Sequence, residues 1–203
     1  MLVGVSGAAR EYRMQARARA VETTRHRILE VARARFVERD YDEVTLTEIA
    51  AEAGVSQQTL LNHFSSKEGL LVALVAEYRG EVDQLRGPVR PGDVAAAVRG
   101  LLRQYERLGD ANARMQVLAD RIPVVAQVIA QARTTHRAWL EGVFGARLPA
   151  DPRDRRRVLA QLYVATDVGT WRLLRRDLGH SRTETSAVMQ AMLRAVLAGV
   201  PGS

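Results

Sequence analysis

The residues with the clearest chemical potential lie in one run, GVSQQTLLNHFSSKEGLL, residues 54–71. Gln57, Gln58 and Thr59 follow Ser56, a residue suited to cap a helix. Glutamine and asparagine amides carry a donor beside an acceptor, which matches the open edge of adenine, and threonine offers a methyl to thymine. No acid occurs from 53 to 67, although Glu52 and Glu68 flank that window. Helix starts ordinarily favour Asp and Glu, because the macrodipole is positive there. A helix end that must approach phosphates has reason to exclude them; a plain solvated helix is the alternative. Lys67 is the single lysine in a chain holding 30 Lys plus Arg. In the first turn of a helix it opposes the dipole by a few tenths of a kcal/mol. A phosphate contact, shared with that helix's own amides, accounts for it.

Short helices must position these groups. Thr45-x-x-Glu48 reads as a capping box that opens one helix, and Gly54 suits the left-handed turn that closes it. Ser56 then opens a second helix that turns Leu60 and Phe64 inward, with small Ala50 where the two approach and Val55 beneath the turn. This is helix-turn-helix spacing; an ordinary pair of antiparallel helices is the alternative. Ser65-x-x-Glu68 reads as a second capping box. Ile28, Leu29, Ala32 and Phe36 mark the preceding helix, and Leu70, Leu71, Leu74, Val75, Tyr78 and Val82 a longer following one. That one ends near RGPVRPGD, residues 86–93, the best internal boundary. Further helices are expected at about 93–108, 112–120, 123–146, 153–177 and 183–199. With no strand, repeat or heptad pattern, the fold class is all-α.

Charge is unevenly spread. Residues 1–39 hold nine arginines against four glutamates, whereas residues 40–68 hold Lys67 against six acids. The overall +7 suits an acidic partner but is weak support on its own. Cysteine is absent, which excludes disulfides and thiolate metal sites. No apolar run approaches the ~20 residues of a membrane span, and the opening lacks a signal-peptide pattern, so a cytoplasmic protein is expected. Residues 1–22 read as a flexible basic arm, within which Met14 is a second candidate start. The division that follows is the arm at 1–22, a DNA-binding domain at 23–86 with its helix-turn-helix at about 45–64, and a second domain at 87–203.

Residues 25–75 resemble the DNA-binding domain of the tetracycline-repressor (TetR) family. The resemblance rests on ILEVARARF and VTLTEIAAEAGVSQQTLLNHFSSKEGLL. It implies a three-helix DNA-binding domain followed by a helical domain for effector binding and dimerisation, which the rest of the chain resembles in helix count and order, with WRLLRRDLG as added support. By resemblance, Thr47, Gln57, Gln58, Thr59 and Leu61 occupy base-facing positions. Thr45, Ser56, Asn62, His63 and Lys67 occupy positions along the phosphate backbone. Leu61 stands where many relatives carry tyrosine, which removes a usual contact.

The partners implied are palindromic operator DNA, a second copy of the chain, and a small apolar or aromatic effector, with repression as the expected sign and no cofactor. Candidate pocket residues are Gln104, Tyr105, Met115, His136, Trp139, Tyr163, Asp167 and Trp171. Candidate dimer residues are Leu159, Leu162, Ala165 and Gly169 with Val188, Met189, Met192, Leu193, Val196 and Leu197. An enzyme is disfavoured: the four histidines share no metal-ligand spacing, and no nucleophile or phosphate-loop motif occurs. A helical adaptor without DNA affinity is the remaining alternative.

Overall fold

Helices follow one another from Val5 to Ala198 in the computed structural model, which describes residues 5–200, with side chains from residue 11 onward except those at 78 and 79. They are α1 (Val5–Glu38), α2 (Leu46–Glu52), α3 (Gln57–Phe64), α4 (Lys67–Arg86), α5 (Val94–Ala119), α6 (Pro123–Phe144), α7 (Pro152–Thr166), α8 (Val168–Arg172) and α9 (Arg182–Ala198). No strand occurs among the described residues, and the all-α expectation holds. No helix there is long and apolar enough to cross a membrane. The chain divides into two compact units, Met1–Ala76 and Glu77–Ser203, with the division inside α4.

In the first unit Ile28, Leu29 and Ala32 of α1 are buried with Ile49, Ala50 and Ala53 around α2, Leu60 and Phe64 of α3, and Leu70, Leu71 and Leu74 of α4. The flexible arm expected at 1–22 is corrected in part: residues 5–22 are helical, and residues 1–4 lie outside the described residues. The stretch is rich in Ala, Arg, Gln and Glu, all strong helix formers. Helix therefore extends backward from the packed turn at Ile28, although every side chain from 11 to 23 is exposed.

In the second unit α5 packs against α6, α8 and α9, while α7 packs against α6, α8 and α9. Two expected boundaries move. The stretches expected at about 93–108 and 112–120 are one helix, α5, which runs through Gly109. A Cβ at Gly109 would lie 2.4 Å from the ring of fully buried Trp171, so the glycine serves close packing and not a turn. Conversely, the helix expected at 153–177 breaks at Asp167. Its backbone is extended (φ −70°, ψ 150°) and its carboxylate accepts from Gly169 N at 2.7 Å to start α8, which passes into a π-helical turn at Leu173–Asp177.

The stripe proposed from sequence as a dimer face is corrected here. Met189, Leu193 and Leu197 are wholly buried in their own unit, as is Leu162, and Leu159 and Ala165 are buried beside them. Val188, Met192 and Val196 lie at the edge of that core, and Gly169 is exposed. A helix lying on a core shows an apolar face more than 100° wide. Sequence alone does not separate the inward column 185–189–193–197 from the edge column 188–192–196.

Two glycine substitutions test this packing by opposite effects. Gly109→Ala should lower the unfolding free energy by about 1–3 kcal/mol through overpacking against Trp171. Gly142→Ala, with nothing within 4 Å of the new Cβ, should raise it by about 0.5–1 kcal/mol. Chemical denaturation of both variants checks the signs.

Candidate nucleic-acid interface

The capping box predicted for α2 is formed. Thr45 Oγ1 accepts from Glu48 N at 3.2 Å, and Glu48 Oε2 accepts from Thr45 N at 2.9 Å. These bonds from Thr45, with help from Arg39, pull the Glu48 carboxyl down to about 2. Gly54 takes φ +64°, a region costly to other residues. Val55 N then reaches Ala50 O at 2.9 Å, and the chain enters α3 at Ser56, whose Oγ accepts from Thr59 N at 3.0 Å. A neutral oxygen thus caps α3 in place of an acid.

The second box expected from Ser65-x-x-Glu68 does not form; a single serine cap stands one residue later, and Gly69 at the third helical position has no side chain to reach back. Ser65 closes α3 with φ +63°, and it is Ser66 Oγ that accepts from Gly69 N at 3.0 Å. Gly69 is required by close approach: a Cβ there would sit 2.0 Å from Phe64 O. The absence of that one carbon lets the first turn of α4 rest on the last carbonyls of α3.

The arrangement presents one polar end. Gln57 and Gln58 are exposed and Thr59 is half-buried. Gln57 Oε1 accepts from Thr47 Oγ1 at 3.2 Å, and Gln58 Nε2 donates to Asn62 Oδ1 at 3.0 Å, so both amide heads are held by neighbours. Leu61 and His63 are half-buried further along α3, and Asn62 is exposed. Lys67 is turned toward the 41–43 turn, where its ammonium donates to Tyr41 O and lies 4.1 Å above the Tyr41 ring. Partial burial lowers its pKa.

The acids of this segment turn back on the unit's own groups. Glu52 pairs with Arg35 at 2.7 Å, Glu43 and Glu48 face Arg39, and Glu68 accepts from the Tyr41 hydroxyl at 3.3 Å. Exposed pairs of this kind add little stability. Their positional effect is larger, since they hold negative charge on other partners while α3 begins with neutral ones.

The pocket candidates separate into groups in the second unit. Gln104, Tyr105 and His136 are buried together, with Trp139 and Tyr163 half-buried beside them. They surround Arg86, which sequence reading passed over as part of a loop boundary; its only sequence signal is a position four residues after apolar Val82. Arg86 Nε donates to Gln104 Oε1 at 2.6 Å, and Nη2 to His136 Nδ1 at 3.1 Å. A guanidinium only donates, so Nδ1 must accept and the proton sits on Nε2. Nε2 then donates to Thr166 Oγ1 at 2.9 Å, whose own hydrogen goes to Leu162 O at 2.7 Å. Thr166 O in turn accepts from the Tyr105 hydroxyl at 2.7 Å. Burial, and then the Arg86 charge, push His136 down to about 3.

Three candidates fall outside this network. Met115 is half-buried about 15 Å along the α5 axis from Tyr105. Asp167 caps α8. Trp171 is fully buried and donates through Nε1 to Glu106, which also accepts from Arg175 Nε at 2.6 Å.

The α2–turn–α3 unit and its caps define the class of helix-turn-helix proteins. Residues 28–74 match the family described as bacterial regulatory proteins, tetR family. Over 77 residues it is 38% identical to the HTH-type transcriptional repressor KstR2 of Mycobacterium tuberculosis, a match that covers 34% of this chain and 38% of the relative's length. A TetR-family transcriptional regulator from Streptomyces coelicolor aligns with a TM-score of 0.66 at 19% identity, covering 87% of this chain and 89% of that one. A transcriptional regulator from Rhodococcus sp. Rha1 aligns with a TM-score of 0.62 at 19% identity, covering 90% and 98%. At these identities the two solved structures establish the shared fold.

The neutral His136 has a pH signature. Its pKa is about 3 when folded against 6.5 ordinarily, so the unfolded chain binds the extra proton and stability falls as pH drops below 6.5. Between pH 6.5 and 5 the loss should be roughly 1.5 kcal/mol. In His136→Gln the slope over this window should flatten by that amount, whatever the variant's absolute stability.

Proposed function

We propose that the protein is a sequence-specific transcription regulator, a repressor that binds a palindromic operator as a homodimer and is released by a small effector. The observation that carries the reading is the exposed, acid-free first turn of α3, capped by Ser56 and presenting Gln57, Gln58 and Thr59. In this reading Thr47, Gln57, Gln58, Thr59 and Leu61 face base edges. Thr45, Ser56, Asn62, His63 and Lys67 lie along the phosphates, with Lys67 using the donors that Tyr41 does not take. The repressor name of the mycobacterial relative supports the sign. Such a protein works in the cytoplasm, without a cofactor. Its second unit, residues 77–203, holds the effector around Gln104, Tyr105, His136, Trp139 and Tyr163, and an apolar or aromatic compound fits those walls. The effector acts by preferring a conformation with lower operator affinity, and it shifts the equilibrium only by that preference.

Gln57→Ala and Gln58→Ala should each relax preference at particular operator positions, by about 1–3 kcal/mol of discrimination. Lys67→Ala should weaken binding to every sequence and reduce the salt slope by about one. Titration against an operator and its single-base variants at several salt concentrations separates the two. Uniform losses from both glutamine changes would refute base reading.

The homodimer is assigned to the outer faces of α7 and α9. Val164 is 60% exposed there, and Val188, Met192 and Val196 edge the core. A two-fold partner places two recognition helices in successive major grooves about 34 Å apart. Sedimentation should give a dimer at micromolar concentration and a monomer for Val164→Arg combined with Met192→Arg. A monomeric parent protein would overturn the assignment.

A further inference from the structure

Arg86 ends α4 with 8% of its surface exposed. Among the described residues no carboxylate forms an ion pair with it; Asp83, one turn earlier, acts on its charge only at longer range. A guanidinium stays protonated at any pH the protein meets, and burying one without a counter-charge is expensive. The same unit pairs its structural arginines differently. Arg175 grips Glu106 through Nε at 2.6 Å and Nη2 at 3.1 Å, and Arg176 grips Asp110 at 2.8 and 3.1 Å. Arg86 instead has neutral neighbours: Gln104, His136, the hydroxyl of Tyr105, and the face of Trp139 at 4.8 Å.

The position is built and not incidental. A Cβ at Gly100 would lie 2.5 Å from Arg86 O, so that glycine lets α5 close on the end of α4. Arg103 then clamps the helix end, donating from Nε to Leu85 O at 2.9 Å and from Nη2 to Arg86 O at 3.0 Å. Gln104 and His136 take hydrogens from Nε and Nη2, and Nη1 donates to neither. Among the described residues Thr185 Oγ1 is the one buried side-chain polar atom without a partner. The Tyr105 oxygen, whose own hydrogen goes to Thr166 O, is a further neutral acceptor beside the guanidinium. Half-buried Trp139 and Tyr163 flank the cluster, their rings 5.6 Å and 5.0 Å from His136.

The geometry points to Arg86 as the anchor for the carboxylate of an apolar acid, whose hydrocarbon part lies against Trp139 and Tyr163. This rests on the effector-binding reading of the second unit and narrows its ligand from any apolar or aromatic compound to an acid. The acid supplies the missing counter-charge through charge-assisted hydrogen bonds. The neutral imidazole of His136 and the amide of Gln104 hold the guanidinium without competing for that charge.

The test titrates the full chain with octanoate, 4-phenylbutyrate and 1-naphthoate, and with the primary amide of each, following melting temperature and tryptophan emission. At least one acid should bind, with its amide about ten- to a hundred-fold weaker. Arg86→Met should erase the acid's advantage, and Arg86→Lys should restore part of it. An amide that binds the parent protein as tightly as its acid overturns the anchor, and so does discrimination that survives in Arg86→Met. The acid–amide comparison on the parent chain stands even where a variant fails to fold. Failure of all three acids to bind also overturns the anchor. The effector reading itself falls only when a broad set of neutral apolar compounds also leaves the protein unshifted.

Discussion

Everything proposed for the first unit depends on how α3 is held by its two ends. At its start, Gly54 in a left-handed conformation lets Val55 N reach Ala50 O, and the chain turns through Ala53–Ser56. At its end, the missing Cβ of Gly69 lets α4 begin against Phe64 O. Between these points Leu60 and Phe64 are buried, which orients the helix about its axis. Gln57 and Gln58 are then exposed because of backbone geometry and core packing, not through any preference of their own for solvent.

Electrostatics follows the same logic in both units but with opposite results. In the first, acids are drawn onto Arg35, Arg39, Thr45 and Tyr41, and a neutral hydroxyl caps α3. That leaves the positive end of a helix dipole facing outward, which favours an anionic partner. In the second unit Glu106 and Asp110 are spent on Arg175 and Arg176, while Arg86 is buried among neutral groups. The cost of that unpaired charge is what makes the cluster informative, since packing alone would be served as well by an apolar residue.

The helix-turn-helix was legible because local chemistry dictates it. Thr45, Glu48, Gly54 and Ser56 each act within a few residues of themselves, and each has the role that its spacing implies. The cap of α4 was misplaced by one because Ser65 and Ser66 are adjacent and only the left-handed backbone of Ser65 decides between them. Longer-range effects were hidden. The gap expected between 108 and 112 is helix, and Gly109 within it packs against Trp171, 62 positions later. Residues of one α9 stripe were assigned to a partner although the chain buries them itself. Arg86 gave almost no signal, because its significance lies in what surrounds it across α5, α6 and α7.

The central claim is that α3 reads DNA sequence from a two-fold symmetric protein. Selection of bound duplexes from a random pool by the purified full-length chain tests it most directly. The account predicts enrichment of an inverted repeat whose half-site centres lie about one helical turn, or a multiple of it, apart, and loss of that enrichment when Gln57 and Gln58 are both replaced by alanine. Recovery of no common sequence, or the same repeat from the doubly substituted protein, would contradict it.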